Sequence, residues 1–107
     1  MTIDWTRAIT AEVRQAEAAA RRRREIDAAI QARLDQTAQA RGYSSADSLI
    51  SWALSNQVSF QEEAARFALW RDDVWLRAVQ MQDADAEVSA AEILAALPDI
   101  DWARPLA

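Results

Sequence analysis

The chain is predicted to be all-α: a long first helix packed in its second half against three further helices, with an extended C-terminal tail. Chain breakers are the first reason. Glycine occurs once, at Gly42, and proline only at Pro98 and Pro105, so little interrupts a helix before the C-terminus. Periodicity is the second, because apolar residues recur every three or four positions and no stretch alternates with period two. The third is a set of serine-led starts, Ser44-x-x-Asp47, Ser59-x-x-Glu62 and Ser89-x-x-Glu92, each ahead of an apolar run.

The first helix is expected to begin between Asp4 and Thr10 and to run to Arg41, with Gly42 supplying the left-handed C-cap. Ile26, Ile30 and Leu34 step by four along it, with Ala29, Thr37 and Ala38 on the same face, and form a well-marked buried stripe. Ile9 and Val13 continue the spacing toward the N-terminus, but Ala16 and Ala20 are all the stripe offers beyond them. The second helix is expected to open at Ser44–Ser45, carry Leu49, Ile50, Trp52, Ala53 and Leu54, and end near Ser55–Asn56. The third starts at Ser59 and is the strongest amphipathic segment. Phe60, Ala64, Phe67, Val74, Ala78 and Met81 line one side, widened by Trp70, Trp75 and Leu76, and it ends in Asp83-Ala84-Asp85. Ser89 begins the last helix, through Ile93, Leu94 and Leu97, which Pro98 stops. Ile100 and Trp102 are placed to dock the remaining tail on the body.

Length decides how the first helix is used. From position 6 to 41 it spans ~54 Å at 1.5 Å per residue, whereas a compact domain of this size is only about 35 Å across. The expected division is therefore a projecting segment, residues 1–24, and a compact body with its tail, residues 25–107.

Composition narrows the function classes. The sequence holds neither cysteine nor histidine, so no disulfide or thiolate site can form and the commonest general base and metal ligand are missing. The opening MTIDWTRAIT lacks the apolar core of a signal peptide, and no run approaches the ~18 apolar residues of a membrane span. Residues 1–42 carry eight arginines against six acids, and residues 43–107 carry four against eleven. An acidic C-terminal body disfavours a duplex-binding surface there.

Several motifs invite chemistry and have plainer readings. Arg21–Arg24 looks like a nucleic-acid patch, but four consecutive helical residues fan around the axis. Glu17, Glu25 and Asp27 are near enough to pair with several of them. Adjacent acids such as Glu62–Glu63 and Asp72–Asp73 point in different directions and read as a solvated face. Asp83, Asp85 and Glu87 lack the glycine and spacing of a calcium loop. Trp70 and Trp75 read as core beside Phe67 and Val74. Trp5 and Trp102, near the chain ends beside Asp4 and Asp101, are the tryptophans open to a partner. The Ser55–Ser59 connection suits a helix-turn-helix superficially, but a recognition helix opening Phe-Gln-Glu-Glu sets acids against phosphates.

One block of residues resembles a known family. Leu34-Asp35, Ala38 and Ala40-Arg41-Gly42-Tyr43 are followed by Glu62-Glu63-Ala64 and Phe67-x-x-Trp70-Arg71-Asp72-x-Val74-Trp75, then by Ala96-Leu97-Pro98 and Trp102. Over roughly residues 26–102 this is similar to the C-terminal region of small bacteriophage and prophage tail proteins of the tail-fibre or tail-fibre-assembly type. The resemblance implies a structural or assembly role with no catalytic residues to carry over. The N-terminal segment departs from it, since an arginine-rich helix stands where the related proteins carry other tail sequence.

The expectation is a non-enzymatic protein acting by protein–protein contact, in the host cytoplasm during assembly or in the virion tail, neither secreted nor membrane-bound. No catalytic, cofactor-binding or metal-ligating residue is assigned. Partner contact is expected through Trp5, Ile9, Val13, Ala16, Ala20 and Trp102. The partner is a tail-fibre protein, a baseplate protein or a further copy of the chain, with coiled-coil-like homo-oligomerisation through the N-terminal helix. The alternative is a small antitoxin-like or nucleic-acid-associated regulator using Arg21–Arg24.

Overall fold

The computed structural model describes residues 4–106; positions 1–3 of the expected projecting segment and position 107 of the tail lie outside the described residues. Helices form in the order α1 (Trp5–Ala40), α2 (Ala46–Ser51), a 3₁₀ turn (Trp52–Leu54), α3 (Val58–Ala84) and α4 (Ala90–Ala96). Among the described residues there is no strand. The all-α class and the long first helix hold.

α1 has a local signal at each end. The Asp4 carboxylate accepts from the Arg7 amide at 3.0 Å and caps the N-terminus. At the other end Tyr43 N–H donates to Ala38 O, and Gly42 N–H to Gln39 O, both at 3.0 Å. With Gly42 at φ +103°, this is a Schellman termination that uses the chain's single glycine where an L side chain is disfavoured.

Two helix starts differ from the expected ones, and the reasons are physical. α2 is capped by Ser45, not Ser44: Ser45 is fully extended and its hydroxyl accepts from Ser48 N–H. A second cap comes from far away in sequence, because the Asp35 carboxylate on α1 accepts from Ala46 N–H at 3.0 Å. α3 begins at Val58 with Gln57 at the cap position and no side-chain cap. Ser59 already has helical geometry there, so the Ser59–Glu62 capping box does not form; the Ser55 hydroxyl serves the turn instead, accepting from Gln57 N–H. Ser89 does cap α4, accepting from Glu92 N–H and donating to the Glu92 carboxylate.

The core is one cluster. Ile26, Ile30, Leu34 and Ala38 of α1 meet Ala46 and Leu49 of α2, Phe67, Trp70, Val74 and Ala78 of α3, and Val88 and Ile93 at α4. Glu63 lies beside Arg41 and the Ala86 carbonyl beside Arg22, so α3 runs antiparallel to α1. Trp70 is buried, and its indole N–H donates to Pro98 O at 2.8 Å, which satisfies a polar group that burial would otherwise leave costly. Two residues expected on the buried side of α3 are exposed, Phe60 and Leu76. Phe60 precedes the point where α1 and α2 cover α3, and it packs on Trp52 at a ring separation of 5.0 Å. Leu76 lies on α3's outer side, since Val74 and Ala78, two residues to either side, point into the core.

The molecule measures 73 × 22 × 21 Å with a radius of gyration of 19.2 Å, against about 13 Å for a compact domain of this length. The excess is the N-terminal part of α1. Ile26 is the first buried residue from the N-terminus among those described, and Arg22 is the first with a hydrogen bond to the body, donating to Ala86 O at 3.0 Å.

Candidate interaction surface

At 100° per residue, Trp5, Ile9, Val13, Ala16 and Ala20 fall on one face of α1. That face is within about 40° of the one Ile26, Ile30, Leu34 and Ala38 present to the body. The exposed stripe and the buried stripe are one apolar face, covered in its second half and bare in its first. Trp5 is 66% exposed, Ile9 58% and Val13 48%, values that for side chains of this size mark a surface with no intramolecular cover. Ala16 is exposed and Ala20 is half-buried. Side-chain size tapers along the stripe from indole to methyl.

Trp102 is separate from this face. Its ring stacks on Phe67 at 6.4 Å and 22°, and the Arg41 guanidinium sits 4.8 Å from its centroid. It therefore lies at the C-terminal end of α1, ~30 Å along the helix from Ala20. It is half-buried and fastens the tail to the body. Arg104 strengthens the attachment through an ion pair to Asp73 at 3.0 Å, while its backbone carbonyl accepts from Arg66 Nε at 2.8 Å.

Below Trp102 lies the most strongly coupled polar group of the molecule. Glu63 accepts from Arg41 Nε and Nη2 at 3.0 and 2.8 Å through one oxygen, and from the Tyr43 hydroxyl at 2.7 Å through the other. Partial burial disfavours the carboxylate, but the hydrogen bonds from Tyr43 and Arg41 outweigh it and hold Glu63 below its ordinary range. Burial, and then the same hydrogen bond, push the Tyr43 phenol up to about 12. The set joins the α1 terminus to α3.

Arg21, Arg23 and Arg24 are exposed and fan around α1. Among the described residues none of Arg21–Arg24 makes an ion pair; the four pairs formed are Arg41–Glu63, Arg66–Glu62, Arg71–Asp72 and Arg104–Asp73. The expected pairing with Glu17, Glu25 and Asp27 is thus not formed. Among the described residues no three acidic side chains converge on a point where a metal could sit, and no helix is long and apolar enough to cross a membrane.

No family model, curated protein or solved structure matches the chain.

One surface escaped the sequence reading. Leu54 is 93% exposed, and Trp52, Val58 and Phe60 around it are exposed as well, so the α2–α3 corner carries an apolar cap. Periodicity assigned Trp52 and Leu54 to a continuous second helix. The signal that could have separated them is Ser55-Asn56-Gln57, a polar break that leaves too few residues after Ser51 for another α-turn.

Proposed function

We propose that this protein is a non-enzymatic structural or assembly component of a bacteriophage or prophage tail that works by protein–protein contact through its projecting N-terminal helix. The observation that carries the contact is the bare half of α1, where Trp5, Ile9 and Val13 stand exposed on the same face that the body covers further along. The tail context rests on the resemblance of residues 26–102 to small tail-fibre and tail-fibre-assembly proteins. In this reading the body is a helical knob that presents the arm, and the arm engages a fibre protein, a baseplate protein or its own copies. The locations proposed are the host cytoplasm during assembly and the virion tail.

Removal of residues 1–20 is the test. The truncated chain is expected to keep its helical signal and cooperative melting while losing co-purification with tail-fibre or baseplate proteins, or losing self-association. A truncated chain that assembles like the full one refutes the reading. The alternative regulator is addressed by a gel-shift series against salt, because neutralising phosphates with Arg21–Arg24 makes affinity fall steeply as salt rises.

A further inference from the structure

Resting on that reading of the arm, we infer that the occupant of its apolar face is the same face of a second copy, running antiparallel about a two-fold axis near residues 12–13. Three observations lead there. The first is shape. The stripe tapers from Trp5 through Ile9 and Val13 to Ala16 and Ala20, so an antiparallel partner sets Trp5 against Ala20 and Ile9 against Ala16. Large side chains then enter the space left by small ones, whereas parallel pairing sets Trp5 on Trp5 and leaves alanines to face alanines.

The second is the course of the chain. The bare face continues the one that the body covers, and α3 runs antiparallel to α1, ending at Ala84 beside the base of the arm. A helix laid antiparallel on the arm therefore carries on along the body-covered side of α1 where α3 leaves off. Its N-terminal tip arrives level with the cleft between α1 and the α3–α4 connection, about 260 Å³ in volume and lined in part by Arg22, Arg23, Gln82 and Asp83. That cleft is open in the single chain and stands level with the incoming Trp5.

The third is charge. Residues 1–24 hold six arginines against three acids, and residues 25–107 hold six against fourteen. Antiparallel pairing keeps the two acidic bodies at opposite ends. It also brings the N-terminal end of one α1, where the Asp4 carboxylate caps the helix, level with Arg21 and Arg22 of the other. Parallel pairing sets the acidic bodies side by side.

Two arms alone bury less than the ~800 Å² per partner of a standard interface, so the dimer is expected to be concentration-dependent. Sedimentation or light scattering on the full chain should show twice the 12.0 kDa monomer mass as concentration rises, and Ile9→Glu should return it to monomer with its helical signal and melting unchanged. Small-angle scattering of the dimer should give a longest dimension of about 120 Å, two 73 Å chains overlapping by ~24 Å. The chain has no cysteine, so Asp47→Cys carries a single spin label, and in the dimer the two labels should stand more than ~70 Å apart.

A chain that stays monomeric overturns the inference, as does a dimer indifferent to Ile9→Glu. So does a dimer no longer than about 80 Å with labels within ~40 Å of each other. A monomer that still loses a tail-protein partner on deletion of residues 1–20 removes the antiparallel pair and leaves the docking arm standing. A dimer whose deletion changes nothing in tail assembly does the reverse.

Discussion

Glu63 takes hydrogen bonds from a guanidinium through one oxygen and a phenol through the other, and that arrangement makes stability depend on pH at both extremes. Its folded pKa is depressed, so its contribution is present above the unfolded carboxylate value and is lost as pH falls through the folded one. Tyr43 has the opposite sign, because burial first and its hydrogen bond to Glu63 second disfavour the phenolate. Its phenol is raised to about 12, so its contribution is present below the ordinary value of 10.0 and is lost as pH rises through 12. Glu63→Gln keeps the shape and drops the charge. It is expected to lower stability by about 1–2 kcal/mol at neutral pH in urea unfolding, less than a fully buried charged hydrogen bond because Arg41 is partly solvated. The gap to the parent should close as pH falls below the carboxylate range.

Gly42 is the other residue whose chemistry is individually decisive. No atom lies within 4 Å of where a Cβ would stand, so only backbone conformation opposes a side chain. Gly42→Ala is expected to cost about 1–2 kcal/mol in thermal or urea unfolding. A neutral result would mean that the Schellman turn relaxes without penalty.

Among the elements, α1 is physically two helices in one. Ile30 is fully buried and Ile9 is 58% exposed, although both sit at the same spacing on the same face. Ile30→Ala should lower stability by about 2–5 kcal/mol, and Ile9→Ala, in dilute monomer, by no more than about 0.5 kcal/mol. Amide hydrogen exchange should divide at the same place. Residues 26–38 should exchange only through global opening, and residues 6–18 should exchange by local fraying wherever no partner covers them. α3 and the tail are coupled through Trp70 and Pro98. Trp70→Phe leaves the Pro98 carbonyl without its donor and a gap beside Phe67, and is expected to lower stability by about 2–3 kcal/mol. It should also loosen Trp102, which tryptophan fluorescence and proteolysis of the tail would report.

The whole molecule departs from compactness by one feature, the arm, and its dimensions follow from helix geometry. Deleting residues 1–20 removes ~24 Å of helix, so the radius of gyration measured by scattering is expected to fall from 19.2 Å to about 13–14 Å. The arm keeps a large apolar face outside the chain's own core, and the proposed contact is assigned to it for that reason. The α2–α3 corner, with Leu54 at its centre, is the second apolar surface of the molecule and stands at the opposite end of α1 from the arm.

Much of this architecture is local and was legible in the sequence. A single glycine, two late prolines and apolar spacings of three and four are enough for an all-α chain, because helix formation depends on near neighbours. The end of α1 at Arg41–Gly42, the Ser89 cap of α4 and the stop at Pro98 follow from backbone chemistry alone. The excess length of α1 over a domain diameter is arithmetic. What the tertiary structure decided involves residues far apart in the chain. Asp35 adds a cap to α2 from eleven positions away. Glu63 gathers Arg41 and Tyr43, where spacing marked it only as one of a solvated pair. Trp102, equally open to core or partner from its neighbours, is claimed by Phe67 and Arg41. A periodic pattern says which face of a helix is apolar; only the packed chain says how far along that face the cover extends.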